Sequence, residues 1–218
     1  MSIVKNSLVR CAGITMVFVL FLQCAGCLPM WNTSKNSEFV PSKQVAFAVG
    51  IQQDGKKISV SDHEVTLGKK PFKMIFYFDK LGTMLVQASL SPSPVQMAKA
   101  GVRMDKIIDT ASQISENFQN PEGLLYVYSD NLQRYHNWAY LGKDSHRYDQ
   151  NGITNVSLTK GGGYLCSRTV KGLCIDGRDE KIQNCPSNTL YLVFFIVNRD
   201  AKNQLVETQR DWVVVKFK

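Results

Sequence analysis

The sequence predicts an α+β fold, in which a mainly antiparallel β-sheet or β-sandwich carries one amphipathic helix. Two observations predict the sheet: apolar residues alternate with polar ones in short segments after residue 44, and Leu190–Val197 is apolar at every position. Alternation is typical of a half-buried strand, and a short unbroken apolar run is typical of a strand buried on both faces. A third observation adds the helix, because residues 102–118 place apolar side chains at helical spacing.

The first part of the domain predicts short strands. Alternating apolar residues lie on both sides of the turn signal Asp54-Gly55 and again further along the chain. They are Val45, Phe47 and Val49, then Ile58 and Val60, then Val65 and Leu67. Two stronger runs follow, Phe72–Phe78 and Met84–Leu90, with the turn-like segment Asp79–Thr83 between them. This arrangement predicts a hairpin that joins the two runs.

The helical segment is expected to start near Ser93-Pro94, because proline suits the first turn of a helix. Gly101 is expected to separate a short turn at 95–100 from the main helix at 102–118. The apolar residues that share one face of the main helix are Ile107, Ile108, Ala111, Ile114 and Phe118. This face is expected to pack on the sheet, and Asn120-Pro121 ends the helix.

After Gly123 the pattern returns to strands. The predicted strands are Leu124–Tyr128, Trp138–Leu141, Ile153–Leu158, Tyr164–Val170, Leu190–Val197 and Trp212–Phe217. The fully apolar run Leu190–Val197 is expected at the centre of a sheet, covered on both faces. Gly161–Gly163 predicts a turn, because the helix that a phosphate-binding glycine loop requires does not follow it.

The chain divides into three parts at 1–26, 27–43 and 44–218. Residues 27–43 are rich in asparagine, serine, threonine and lysine, so they are expected to form a flexible tether. Residues 44–218 have the usual size of one domain with its own core.

The N-terminal part carries the pattern of an export signal. Lys5 and Arg10 precede an apolar run that ends at Leu22, and small residues follow. The stretch Leu22-Gln23-Cys24-Ala25-Gly26-Cys27 resembles the lipobox of bacterial lipoproteins, with Cys24 where leucine is usual. The resemblance implies that residues 1–26 are a signal peptide. It also implies that Cys27 is acylated, for example with palmitate, and anchors the chain to a membrane.

The resemblance also implies a destination. Leu28, and not aspartate, follows Cys27, which in the sorting pattern of these lipoproteins directs the protein to the outer membrane. The domain would then face the periplasm or the cell surface. Two alternatives stay open: an ordinary secretory peptide cut near Gly26, and an uncleaved anchor, although the apolar run is short for a span of about 20 residues.

The charge of the chain restricts its partners. The formal net charge is +8 at pH 7, and a basic surface favours anionic neighbours such as lipid head groups, cell-wall polymers or an acidic protein. The lysines and arginines form no concentrated stripe, so no nucleic-acid partner is expected.

Three cysteines lie in the domain, Cys166, Cys174 and Cys185. An oxidising compartment favours a disulfide, and an odd number leaves one thiol unpaired. All three pairings are open: Cys166 and Cys174 are expected to face each other if they flank a hairpin, and a bridge that includes Cys174 is favoured. The spacing fits no zinc pattern, so neither a metal nor a cofactor is expected.

The densest polar and aromatic stretch, 126–149, supplies the predicted partner-binding surface. Tyrosine, tryptophan and arginine are good interface anchors, because they bring a large contact area and keep a polar tip. The candidate residues are Arg134, Tyr135, His136, Trp138, His146, Arg147 and Tyr148. The alternative is that about half of them alternate into the core. His136 and His146 match no recognised metal-ligand spacing.

These features predict a lipoprotein of the bacterial envelope that works by binding and not by catalysis. The most specific form of this hypothesis is an inhibitor or immunity protein against an envelope-acting toxin. One alternative is a structural or assembly subunit of an envelope or secretion complex that recruits partners at a sheet edge. The other is a hydrolase whose site is assembled from distant residues around His136 and His146.

Overall fold

A computed structural model describes residues 45–80, 82–108, 123–128, 137–141, 154–159 and 161–218. The strands, in chain order, are β1 (Phe47–Gln53), β2 (Lys56–Ile58), β3 (Glu64–Leu67), β4 (Phe72–Phe78), β5 (Gly82–Ser89), β6 (Leu124–Tyr128), β7 (Asn137–Leu141), β8 (Thr154–Leu158), β9 (Tyr164–Val170), β10 (Gly172–Ile175), β11 (Arg178–Lys181), β12 (Thr189–Arg199) and β13 (Leu205–Phe217). The helices in these ranges are α1 (Ser93–Lys99) and α2 (Met104–Ile107), and Ile182–Asn184 forms a 3-10 turn.

The strands form two sheets. The five-stranded sheet has the order β2-β1-β4-β9-β8, and every pair in it is antiparallel. The eight-stranded sheet has the order β11-β10-β6-β5-β12-β13-β3, with β7 also paired to β5. In it, β6 runs parallel to both β5 and β10, and β3 runs parallel to β13. The predicted α+β class with mainly antiparallel pairing is confirmed.

The core lies between the two sheets. Phe47 and Phe76 of the five-stranded sheet contact Phe194 of the eight-stranded sheet, with ring centroids 6.3 and 5.6 Å apart. Phe47 also packs on Phe78, its partner across the β1–β4 pair. Aromatic pairs at these distances add about 0.5–1.5 kcal/mol to the stabilisation from burial alone. These rings therefore hold the two sheets face to face.

Strand β12 occupies the central position that its apolar sequence predicts. It pairs with β5 on one side and with β13 on the other, and residues 192–197 are buried. Side chains alternate along a strand, so Phe194 points into the sandwich while Phe195 points to the opposite face. Helix α1 packs on that opposite face, against β12 and β13. The prediction of a strand covered on both faces is confirmed.

The predicted hairpin across Asp79–Thr83 is wrong. Strand β4 pairs with β1 and β9 in one sheet, and β5 pairs with β12 and β6 in the other. Both runs are apolar enough to be buried on two faces, so each finds partners in a separate sheet and the connection crosses the sandwich. The hairpin at Asp54-Gly55 does form and joins β1 to β2.

The predicted helix at 102–118 lies largely outside the described residues, and its described part is shorter than expected. Helix α1 takes the start near Pro94 and ends before Gly101, whose φ of +71° closes it. Helix α2 then forms a single turn, and Ile108 is extended with φ −122° and ψ 140°. Ile108 is fully buried, and a β-branched residue suits extended backbone. No helix in the described ranges is long and apolar enough to cross a membrane.

Candidate functional site

A bulge near the start of β13 arranges the polar residues of the candidate site. The pairing of β12 with β13 shifts between Ile196 and Val197, whose partners are Gln209 and Glu207, so that Thr208 is the extra residue. The Thr208 hydroxyl donates to the Ile196 carbonyl at 3.1 Å. A bulge of this kind changes which side chains share a face, and it therefore brings Glu207 and Arg210 to the same side of the strand.

Arg210 ties β13 to helix α1. Its Nη2 donates to Glu207 Oε2 at 2.7 Å and its Nε donates to the second oxygen, Oε1. Its Nη1 donates to the Ala98 and Val102 carbonyls at 3.2 and 2.7 Å. The guanidinium also lies 5.6 Å from the centre of the Phe195 ring. The Ala98 carbonyl also accepts from Gly101 N at 3.1 Å, and a cation is favourable close to the C-terminal end of a helix, so Arg210 is mainly a structural clamp.

His63 sits in a tight turn that leads into β3. Asp62 and His63 have φ angles of 50° and 62°, and Ser61 and Glu64 exchange two backbone hydrogen bonds across them. Two consecutive residues with positive φ form the turn that matches the twist of adjoining strands. The His63 carbonyl accepts a hydrogen bond from Val214 N at 2.7 Å, which places the imidazole beside β13.

The His63 imidazole pairs with Asp211. Its Nδ1 lies 3.0 Å from Asp211 Oδ1 and 3.0 Å from the Trp212 carbonyl. Both neighbours are acceptors, so we assign the hydrogen to Nδ1. The imidazole also stacks on the Trp212 indole, with centroids 4.5 Å apart and planes inclined by 23°. Lys99 of α1 lies 5.9 Å from the centre of the same indole, so one cluster connects β3, β13 and α1.

The hydrogen bond to Asp211 is the largest influence on His63, and it raises the pKa of the imidazole above 6.5. The negative charge of Asp211 and the hydrogen bond to the Trp212 carbonyl raise the pKa further. Burial of the ring and the positive charge of Lys99 lower it. Hydrogen bonds and opposite charges favour the protonated form of histidine, whereas desolvation favours the neutral form. At acidic pH the pair is therefore an ion pair.

An open recess lies beside this cluster, at the end of the sandwich where β1 begins. Its volume is about 270 Å³, and its lining includes Phe47 from one sheet and Gln209 and Asp211 from the other. Asp211 lies opposite Phe194 in the β12–β13 register, and the Phe194 ring contacts Phe47. Residues directly opposite on paired strands share a face of the sheet. The Asp211 side chain is therefore on the face that carries Phe194, which is the face toward Phe47.

The chemistry open to His63 depends on its second ring nitrogen, Nε2. With its hydrogen on Nδ1, neutral His63 presents Nε2 as an acceptor, as a general base does. However, within the described ranges no hydroxyl or thiol forms a hydrogen bond with this imidazole. No group of three potential metal ligands occurs among the residues that the structure describes.

The three cysteines of the domain are buried, and Cys174 and Cys185 are free thiols. Cys166 lies in β9 of the five-stranded sheet and Cys174 in β10 of the eight-stranded sheet, so the predicted hairpin between them does not form. Instead, Cys174 lies opposite Asp179 across the hairpin β10–β11. Burial first, and the hydrogen bond to Asp179 second, raise the pKa of Cys174 to about 11. Thiols in this condition are poor nucleophiles at neutral pH.

Most of the predicted partner-binding residues lie outside the described residues: Arg134, Tyr135, His136, His146, Arg147 and Tyr148, together with the predicted lipidation site Cys27. Trp138 lies in β7 opposite Leu85 of β5.

The residues of the candidate site were not identified from the sequence. His63 and Trp212 are 149 positions apart, and their contact depends on the parallel pairing of β3 with β13. One local signal was present, because Asp62-His63 stands between two alternating apolar segments and marks a turn. No protein-family model, curated protein or solved structure matches the chain.

Proposed function

We propose that the chain is a lipid-anchored binding protein of the bacterial envelope whose domain presents the recess and its rim to a protein partner. One observation carries the binding role: Phe47, a half-buried aromatic residue held in place by three other rings, lines an open recess together with Gln209 and Asp211. Aromatic residues that are partly exposed and already held in place lose little entropy on binding and are typical anchors of protein interfaces. The lipobox-like stretch that ends at Cys27 supports the location.

The most specific form of the proposal is an inhibitor or immunity protein that neutralises an envelope-acting toxin. Recruitment by strand addition, as in an assembly subunit, has less support. Among the outer strands of the two described sheets, β2 spans three residues and carries Lys56 and Lys57, and β11 is the charged sequence Arg178–Lys181, whereas β3 and β8 have four and five residues. Short, charged outer strands oppose pairing with another chain.

Co-purification tests the binding role. The full chain, tagged after Lys218, would be expressed in its host, cross-linked and isolated from membranes, and its partners identified by mass spectrometry. We expect one stoichiometric protein that is lost with Gln209→Arg, which fills the recess, and kept with Lys202→Glu at the exposed β12–β13 turn. Several envelope subunits in place of one partner would favour the assembly role. Equal recovery with both variants would contradict the recess as the interface.

Acylation tests the location separately. We expect metabolically supplied palmitate to label the chain and Cys27→Ala to abolish both the label and membrane attachment. Cys24→Ala is the matched control, because it removes a cysteine three positions away and is expected to retain both. Loss of the label in Cys24→Ala, or its persistence in Cys27→Ala, would contradict the assignment of the anchor.

A further inference from the structure

We propose that the recess between β1 and β13 is a binding site for an organic cation, either an alkylammonium or a guanidinium group, held by the Asp211 carboxylate and the Phe47 ring. The proposal stands on the geometry of the recess and does not require the proposed function. Only if the cation is a lysine or arginine of a protein partner does it rest on that function.

The free carboxylate oxygen is the first support. Both contacts of the Asp211 carboxylate, with His63 Nδ1 and with Trp212 N at 2.8 Å, use Oδ1. Within the described ranges, Oδ2 has no hydrogen-bond donor. The side chain is 23% exposed, so the oxygen remains accessible while its neighbour fixes the orientation of the carboxylate. An oriented carboxylate oxygen without a donor is a suitable acceptor for an ammonium or guanidinium hydrogen.

The second support is the aromatic wall of the recess. Phe47 is held in place by Phe78, Phe76 and Phe194, yet the ring is only half-buried and lines the recess. A cation that lies over an aromatic ring is stabilised by about 0.5–2 kcal/mol, and the stabilisation is larger where water is excluded. The carboxylate and the ring come from different sheets, so they form two walls of one site.

The Arg210 charge does not oppose such a ligand. Arg210 also lines the recess, but its guanidinium binds Glu207 and two carbonyls of the α1 region. It shares a face with Phe195, its partner in the register, and this face is opposite to that of Asp211. The Arg210 charge is therefore offset by Glu207 and directed away from the recess.

The size of the recess limits the ligand. A volume of about 270 Å³ lies at or below the lower end of small-molecule pockets, which is roughly 300 Å³. It suits a single side chain or a small amine. Two sources share this chemistry: a lysine or arginine side chain of a protein, and a free amine.

His63 makes the binding depend on pH. The groups that face the imidazole are Asp211 from β13 and Lys99 from α1, and the neighbouring Glu64 pairs with Lys216. Protonated His63 offsets the Asp211 charge, so a cation binds more tightly as the pH rises and His63 loses its proton. By linkage, a bound cation lowers the His63 pKa by the same free energy.

The test is an NMR titration of the full chain, in mild detergent, with butylammonium and with ethylguanidinium. We expect saturable shifts at Phe47, Gln209 and Asp211, at least about fivefold weaker affinity for neutral butanol, and tighter binding at pH 8 than at pH 6. In Asp211→Asn the affinity for the cations should fall toward that for butanol, with the contribution of the Phe47 ring remaining. Asp54→Asn is the matched control, because it removes a carboxylate about 20 Å along β1 and should keep the affinity.

One further variant and two further ligands complete the test. Phe47→Leu retains an apolar side chain and is expected to weaken cation binding about threefold or more. This variant tests the site even if Asp211→Asn does not fold. A blocked Gly-Lys-Gly peptide that binds more tightly than butylammonium would identify a protein side chain as the source, and a free diamine that binds more tightly would identify a small amine. Equal binding of butanol, no saturable shift, or equal losses in Asp54→Asn and Asp211→Asn would overturn the proposal. Absence of a protein partner with normal amine binding would contradict only the proposed function.

Discussion

His63 donates its Nδ1 hydrogen to Asp211 over 3.0 Å and thereby joins the first turn of β3 to the middle of β13. Strand β3 has only four residues and lies at the edge of its sheet. Four paired residues give little independent stability, so side-chain contacts contribute much of what holds this strand. The pair also connects the edge strand to the recess, because Asp211 lines it.

The first prediction concerns the pH dependence of this pair. The His63 pKa is raised in the folded chain, so folded His63 binds its proton more tightly than unfolded His63 does. The stabilisation is therefore complete below the unfolded pKa of about 6.5 and is lost as the pH rises through the folded pKa. Because both side chains are partly exposed, we expect at most about 1 kcal/mol.

Urea unfolding of the full chain and of His63→Gln, from pH 5.5 to 8.5, measures how much the His63–Asp211 pair stabilises the fold. The free energy of unfolding of the wild type should exceed that of the variant at pH 5.5–6.5, and the difference should shrink at higher pH. His136 and His146 are common to both proteins and cancel in the comparison. In an Asp211→Asn background the difference should no longer vary with pH. A difference that grows with pH would contradict the assigned sign.

The second prediction separates a buried arginine pair from an exposed one. Arg210→Lys keeps the charge but cannot reproduce the fork to Glu207 together with the bonds to Ala98 and Val102. Since the Arg210 side chain is only 19% exposed, either the Val102 carbonyl or one Glu207 oxygen is left without its donor, and we expect a loss of about 1–3 kcal/mol in unfolding free energy.

Arg103→Lys is the matched control. Arg103 makes the same two-fold contact with Asp105, at 3.0 and 3.1 Å, but its side chain is 82% exposed. Exposed pairs contribute little, so a change below about 0.5 kcal/mol is expected in the same thermal or urea experiment. Similar losses in the two variants would show that the contacts of Arg210 with the α1 region add nothing.

The third prediction concerns the cysteines. Cys166, Cys174 and Cys185 are buried, and the Cys174 pKa of about 11 keeps that thiol protonated at neutral pH. We expect an alkylating reagent at pH 7.5 to modify none of the three in the folded chain. After denaturation without reductant Cys174 and Cys185 should both react, as peptide mass spectrometry would show. If either of these two stays protected in denaturant until a reductant is added, it is held in a disulfide and the prediction is wrong.

The sequence was sufficient for what depends on local periodicity and insufficient for what depends on pairing. The apolar run Leu190–Val197 predicts its own burial on both faces, so the central position of β12 could be inferred. The segment Asp79–Thr83 looks like a hairpin because turn residues show where a chain bends but not which sheet it enters next. For the same reason the contacts of His63 could not be predicted: Asp211 and Trp212 become its neighbours only through the β3–β13 pairing.

The last prediction tests the close approach of β10 to its neighbours. A Cβ at Gly172 would lie 2.8 Å from the Glu180 carbonyl oxygen of β11 and 2.7 Å from Leu124 Cδ2 of β6. The leucine methyl can move, but the backbone oxygen belongs to a paired strand and can move only with it. Gly172→Ala should therefore lower the unfolding free energy by about 1–3 kcal/mol, as overpacking does.

Gly161→Ala is the control, because its Cβ would meet only the Thr159 hydroxyl at 3.8 Å, and little change in unfolding free energy is expected. If both variants unfold at the same urea concentration as the wild type, β10 and β11 do not pack as closely as the structure indicates.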